Sequence, residues 1–95
     1  MLFVIFCIDK PGMAETRKAT MPAHIDYVAT KPIDVKMSGP LVADDGETVI
    51  GSLFVVDAAD RAEVEAFQRN DPLVAADIWD SVEVRAFIKR VDNWN

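Results

Sequence analysis

Ninety-five residues, 51% of them apolar, give enough chain for one small domain over residues 1–95 and too much hydrophobic surface for disorder. A formal net charge of −6 excludes nucleic acid as a partner, since duplex binding relies on clustered Lys and Arg and the basic residues here are scattered. A single cysteine, Cys7, excludes an internal disulfide framework and a Cys-rich zinc site, and it suits a reducing, cytoplasmic setting.

The first run, residues 2–8, is β-branched and aromatic and predicts a buried strand. It lacks the basic start of a signal peptide, Asp9-Lys10-Pro11-Gly12 cuts it short, and it is far below bilayer-spanning length. No membrane contact is expected. A helix follows over residues 13–30. Pro22 lies inside it and lacks an amide donor, so the helix is expected to kink or restart there, with Pro22 in a first turn. Met21, Ile25, Val28 and Ala29 recur at helical spacing and predict an inward stripe.

A second strand is predicted over residues 34–42. Ser38-Gly39-Pro40 interrupts it, which suits an edge strand or a bulge. Asp44-Asp45-Gly46 predicts a turn into a third strand over residues 48–56. Asp60 with Glu63 fits a capping box for a second helix, with Val64 and Phe67 facing inward. Asn70-Asp71-Pro72 ends that helix, and Pro72 opens a short helical turn reaching Asp77. The last strand is predicted over residues 79–89. The order βαββαβ is that of an α+β ferredoxin-like fold. Its four-stranded antiparallel sheet has strands one and three in the centre.

The central strands are apolar on both faces. Strand one places Leu2, Val4, Phe6 and Ile8 on one side and Phe3, Ile5 and Cys7 on the other. Strand three does the same with Val49, Leu53 and Val55 against Ile50, Phe54 and Val56. Two helices cover one face only, so the other calls for a second copy packed sheet to sheet, or for the chain's own tail. Burying a few hundred Å² of apolar surface contributes several kcal/mol at roughly 25 cal/mol per Å². The expected assembly is a homodimer, with larger oligomers open, and its pairing is expected to create the cavity.

A set of short motifs, in order along nearly the whole chain, resembles the YciI-like family. They are Leu2-Phe3-Val4-Ile5 with Asp9-Lys10, and Arg17 ahead of Met21-Pro22-Ala23-His24-Ile25. Ser38-Gly39-Pro40-Leu41, Gly51-Ser52, Asn70-Asp71-Pro72-Leu73-Val74-Ala75-Ala76 and Val84-Arg85-Ala86-Phe87 complete the set. The resemblance implies a dimeric α–β barrel, two sheets facing each other with helices outside. It also implies a site built on a His–Asp pair, here His24 and Asp71. Some relatives act on small aromatic or lactone-like compounds, including dehydrochlorination of chlorinated hydroxyquinols. The sequence departs from the family pattern in its short hairpin at residues 43–48, in Met21 where arginine is frequent, and in the tail 91–95.

His24 is the only histidine, and an imidazole takes and gives protons near neutrality. It follows Arg17 by two helical turns, so both can face one pocket if Pro22 leaves the path straight. Asp71 can orient the imidazole, as carboxylates do in catalytic triads, or cap the helix opened by Pro72. Both hold together if one oxygen caps and the other faces His24. Ser52 interrupts an apolar strand face and either contacts substrate or is a satisfied structural hydroxyl. Arg17 either holds a substrate anion or pairs with Glu15 or Asp26. Trp79, Trp94 and Phe87 either line the pocket or belong to the core. No spacing of ligands supports a metal, and no Gly-rich loop supports a phosphate-bearing cofactor. Two functions stand. One is a cofactor-independent lyase or isomerase that uses His24 and Asp71 on a small cyclic substrate, with Arg17 or Ser52 steadying oxyanion charge. The other is a non-catalytic ligand-binding or accessory dimer with the same cavity.

Overall fold

Seven elements run along the computed structural model, which describes residues 1–94. They are β1 (Leu2–Asp9), α1 (Ala14–Ala29), β2 (Asp34–Val42), β3 (Val49–Asp57), α2 (Arg61–Arg69), α3 (Pro72–Ala75) and β4 (Trp79–Phe87). The sheet order is β2-β3-β1-β4 with every neighbour antiparallel, so the two most apolar strands sit centrally as their composition requires. The fold is the expected α+β arrangement.

Edge and turn devices fall where the sequence places them. β2 is an edge strand, and its register shifts at Val35/Met37 and at Leu41/Val42, on either side of Ser38-Gly39-Pro40. Gly46 takes φ +75° in the β2–β3 turn, and the Asp45 carboxylate accepts the amides of Glu47 and Thr48. Asp60 accepts the Glu63 amide at 3.0 Å, while Glu63 reaches back to the Ala59 amide at 3.0 Å, one residue before the box position. Gly51 is needed for sheet contact, because a Cβ there would lie 2.0 Å from the Cys7 carbonyl oxygen.

Phe3, Ile5 and Cys7 of β1 meet Phe54 and Val56 of β3 on the helix-covered face, and Val64, Phe67 and Leu73 close over them. Four details differ from the expectation. Pro22 does not restart α1. It sits on the exposed side of one continuous helix, where its ring meets solvent and the carbonyl it leaves unpaired can be hydrated. Ile25 and Ala29 point outward, Ile25 being 58% exposed, and the buried residues of α1 are Arg17 and His24. β4 ends at Phe87, and the short helix stops before Asp77, which takes φ +56°.

The opposite face stays open. Leu2, Val4, Leu53 and Val55 are half-buried there, and Phe6 and Phe87 are more than 40% exposed. The tail reaches this face and borders a groove of about 710 Å³ between Met37, Leu53, Phe87 and Trp94. It does not cover the face, because Val91 and Trp94 are themselves more than 70% exposed.

Candidate functional site

Arg17, Met21, His24 and Val28 recur at helical spacing and turn one side of α1 toward β2 and β3. With Ser38, Gly39, Pro40, Ser52 and Phe54 they enclose a pocket of about 210 Å³. The pocket lies on the helix-covered side of the sheet, within one chain. Pairing across the open face is therefore not its source, contrary to the expectation from sequence.

His24 is held from behind. Its Nδ1 lies 2.9 Å from Asp71 Oδ1 and 3.0 Å from Oδ2. An ionised carboxylate only accepts, so Nδ1 carries the proton and Nε2 is left as the basic nitrogen. Nε2 makes no hydrogen bond among the described residues and is not sealed off, which leaves it available to the pocket that His24 lines. Phe54 meets the imidazole edge-on, with centroids 5.8 Å apart. The Asp71 side chain is fully buried, outside the pocket lining.

Asp71 meets both partners foreseen for it, with a different division of its oxygens. Oδ1 accepts the Leu73 amide at 2.9 Å as the N-cap of α3 and also meets His24, while Oδ2 serves His24 alone. The cap fixes the carboxylate, and the carboxylate fixes the imidazole. Its negative charge is felt nearby. Burial first, then Asp71, pushes the Cys7 thiol up to about 12, so Cys7 is a neutral part of the core. Burial and Asp71 also raise Tyr27, whose hydroxyl donates to the Phe67 carbonyl at 2.8 Å.

Arg17 pairs with neither Glu15 nor Asp26. Its Nε and Nη2 donate to the two oxygens of Asp9, each at 2.7 Å, in a buried two-pronged ion pair. Nη2 also donates to Ser52 Oγ at 2.9 Å. Ser52 is thus satisfied as an acceptor while keeping its own hydroxyl proton. Nη1 has only the Met21 sulfur at 3.9 Å, a weak acceptor. Asp9 is the residue sequence reasoning missed as part of the site. Its signal was present in Asp9-Lys10 at the end of β1, where a bulge between Ile8 and Asp9 re-aims the chain.

The aromatic expectations resolve against the pocket. Trp79 is core, packed edge-on to Phe54, while Phe87 and Trp94 line the open-face groove. Among the described residues, no three His, Cys, Asp or Glu side chains group closely enough to hold a metal ion.

The profile of the YCII-related domain matches residues 1–88. The chain belongs to this family. Proteins named YciI from Escherichia coli O6:H1 and Shigella flexneri are each 31% identical over 94% of this chain and 98% of theirs. Among solved structures, the 5-chloro-2-hydroxyhydroquinone dehydrochlorinase TftG of Burkholderia phenoliruptrix, in complex with 2,5-dihydroxybenzoquinone, superposes with a TM-score of 0.84. It is 27% identical, with 93% of this chain and 94% of that chain covered. Rv0793 from Mycobacterium tuberculosis, at 10% identity and a TM-score of 0.56 over 96% and 97% of the two chains, shares the fold. The fold is that of the dimeric α–β barrel proteins.

Proposed function

We propose that this YCII-related protein is a cofactor-independent enzyme that moves protons on a small hydroxylated cyclic substrate, as a lyase of the dehydrochlorinase type or an isomerase. The observation that carries the reading is His24: Asp71 holds Nδ1 from behind at 2.9 Å, and Nε2 is left to a pocket sized for one ring. About 210 Å³ lies below the ~300–1,000 Å³ of common ligand pockets, room for a single substituted ring. The similarity to TftG supports the substrate class.

In a dehydrochlorination, Nε2 takes a substrate proton, the pair that held it forms a new C=O or C=C bond through the ring, and chloride leaves with the electron pair of its C–Cl bond, a net loss of HCl. Asp71 stabilises the imidazolium that forms. Ser52 Oγ–H and Arg17 Nη1–H stand beside the ring as donors to an oxygen that gains charge. In an isomerisation the same nitrogen returns the proton to another carbon.

The reading includes a cytoplasmic homodimer. The apolar open face and its exposed Phe6 and Phe87 support pairing, and the free, buried Cys7 suits a reducing compartment.

The test is turnover of 5-chloro-2-hydroxyhydroquinone by wild type and His24→Ala, followed by chloride release, with binding of the neutral ring resorcinol measured alongside. General-base loss lowers the rate roughly 10²–10⁴-fold while binding persists. Equal rates in the two proteins overturn the role of His24. Binding without turnover in wild type favours the accessory-module reading.

A further inference from the structure

We infer that Asp9 sets the substrate charge class: by occupying Arg17 it reserves the pocket for uncharged hydroxylated rings and turns carboxylates away. The inference rests on the reading of the His24 pocket as a substrate site and goes beyond it in naming what enters.

An arginine in a small pocket ordinarily announces an anionic ligand, because its planar fork matches a carboxylate. Here that fork is already filled. Nε and Nη2 close on Asp9 at 2.7 Å each, and both side chains are less than a tenth exposed. An incoming carboxylate would find no paired donors on one edge of the guanidinium. Nη1 alone remains, beside the sulfur of Met21.

Charge balance points the same way. The site holds one guanidinium and two buried carboxylates, Asp9 and Asp71, the first bound to Arg17 and the second to His24 Nδ1. A further negative charge would lie close to both carboxylates, in surroundings that screen their repulsion poorly. Met21, Val28 and Phe54 give the pocket apolar walls. A neutral ring fits these walls. Its hydroxyl oxygens accept from Ser52 Oγ–H and Arg17 Nη1–H, and a ring proton or hydroxyl faces Nε2.

Substituting Asp9 by Asn keeps the side-chain shape and one acceptor but frees the guanidinium charge. The pocket then becomes an anion site, and an anion that enters replaces the missing partner of a buried cation.

The probes are resorcinol and 3-hydroxybenzoate, which share a ring and one hydroxyl and differ in whether the second group is neutral or anionic. Binding is followed by the NMR signals of the His24 ring in the full chain, and by thermal shift. Wild type is expected to bind resorcinol at least about tenfold more tightly than 3-hydroxybenzoate. Asp9→Asn is expected to reverse the order, with at least about a tenfold gain for 3-hydroxybenzoate and a rise in its own lowered melting temperature. Wild type taking 3-hydroxybenzoate at the His24 ring as tightly as resorcinol overturns the inference and leaves the proposed function standing. Wild type moving the His24 signals with neither probe overturns both. Should Asp9→Asn fail to fold, the wild-type preference alone decides.

Discussion

The two faces of one sheet have opposite characters. The helix-covered face is packed and contains two buried polar pairs, the Asp9–Arg17 ion pair and the hydrogen-bonded His24–Asp71. The open face has no such pair and leaves Phe6, Val49 and Phe87 about 40% exposed. Polar chemistry is thus concentrated where Arg17, Asp9, His24 and Asp71 are buried with partners, and the uncovered apolar area is set apart from it. On the proposed reading, a second subunit packs on the open face without lining the pocket, so catalysis and association can be disturbed separately.

Breaking a pair on the covered face is the harshest test. Asp9→Ala leaves the Arg17 guanidinium buried and unpaired, and the expected loss is about 3–5 kcal/mol in denaturant unfolding. An Ala variant that unfolds at the wild-type midpoint would mean Arg17 turns out to solvent. A charge on the other face has a different signature. Leu53→Glu is expected to convert a dimer to monomer by light scattering, with a cost of a few kcal/mol at working concentration, while the His24 ring signals stay in place. Shifted His24 signals in that monomer would show that the two faces are coupled.

Asp71→Asn separates the two jobs of one carboxylate. Asn still caps α3, so the stability loss should be near 1 kcal/mol, the size of a cap or hydrogen-bond contribution. Its amide can donate to Nδ1, which favours the wrong tautomer and should lower turnover far more than it lowers stability. The smallest expected effect concerns Cys7. Burial on folding raises its thiol from an ordinary 9.0 to about 12, so the folded state prefers the protonated form. Its contribution is complete below pH 9 and is lost as pH rises toward 12, a decline that Cys7→Ala should remove from the stability profile. At pH 8 the native thiol should resist alkylation.

The sheet was readable because apolar residues on both sides of residues 2–8 and 48–56 leave few places for those strands but the centre. The turn at Asp45-Gly46 and the cap at Asp60 were readable because their chemistry is local. The inner side of α1 was not. Periodicity picks out Ile25 and Ala29, yet Arg17 and His24 point inward because Asp9 and Asp71 await them from β1 and from the start of α3. A buried charge is stable only with its partner, and partners 8 and 47 residues away leave no trace in a helical window. Pro22 is unreadable for a related reason: whether it breaks the helix depends on which side it occupies. His24 and Asp71 were reached through the family motif, which carries the pairing that spacing cannot.

The central claim is that Asp71 fixes the His24 proton on Nδ1 and leaves Nε2 as the base. Nitrogen-15 NMR of the single histidine reads this directly in the full-length protein at a pH where the ring is neutral. The account predicts a protonated Nδ1 and an unprotonated Nε2, reversed or mixed in Asp71→Asn. A neutral wild-type ring with its proton on Nε2 would contradict it.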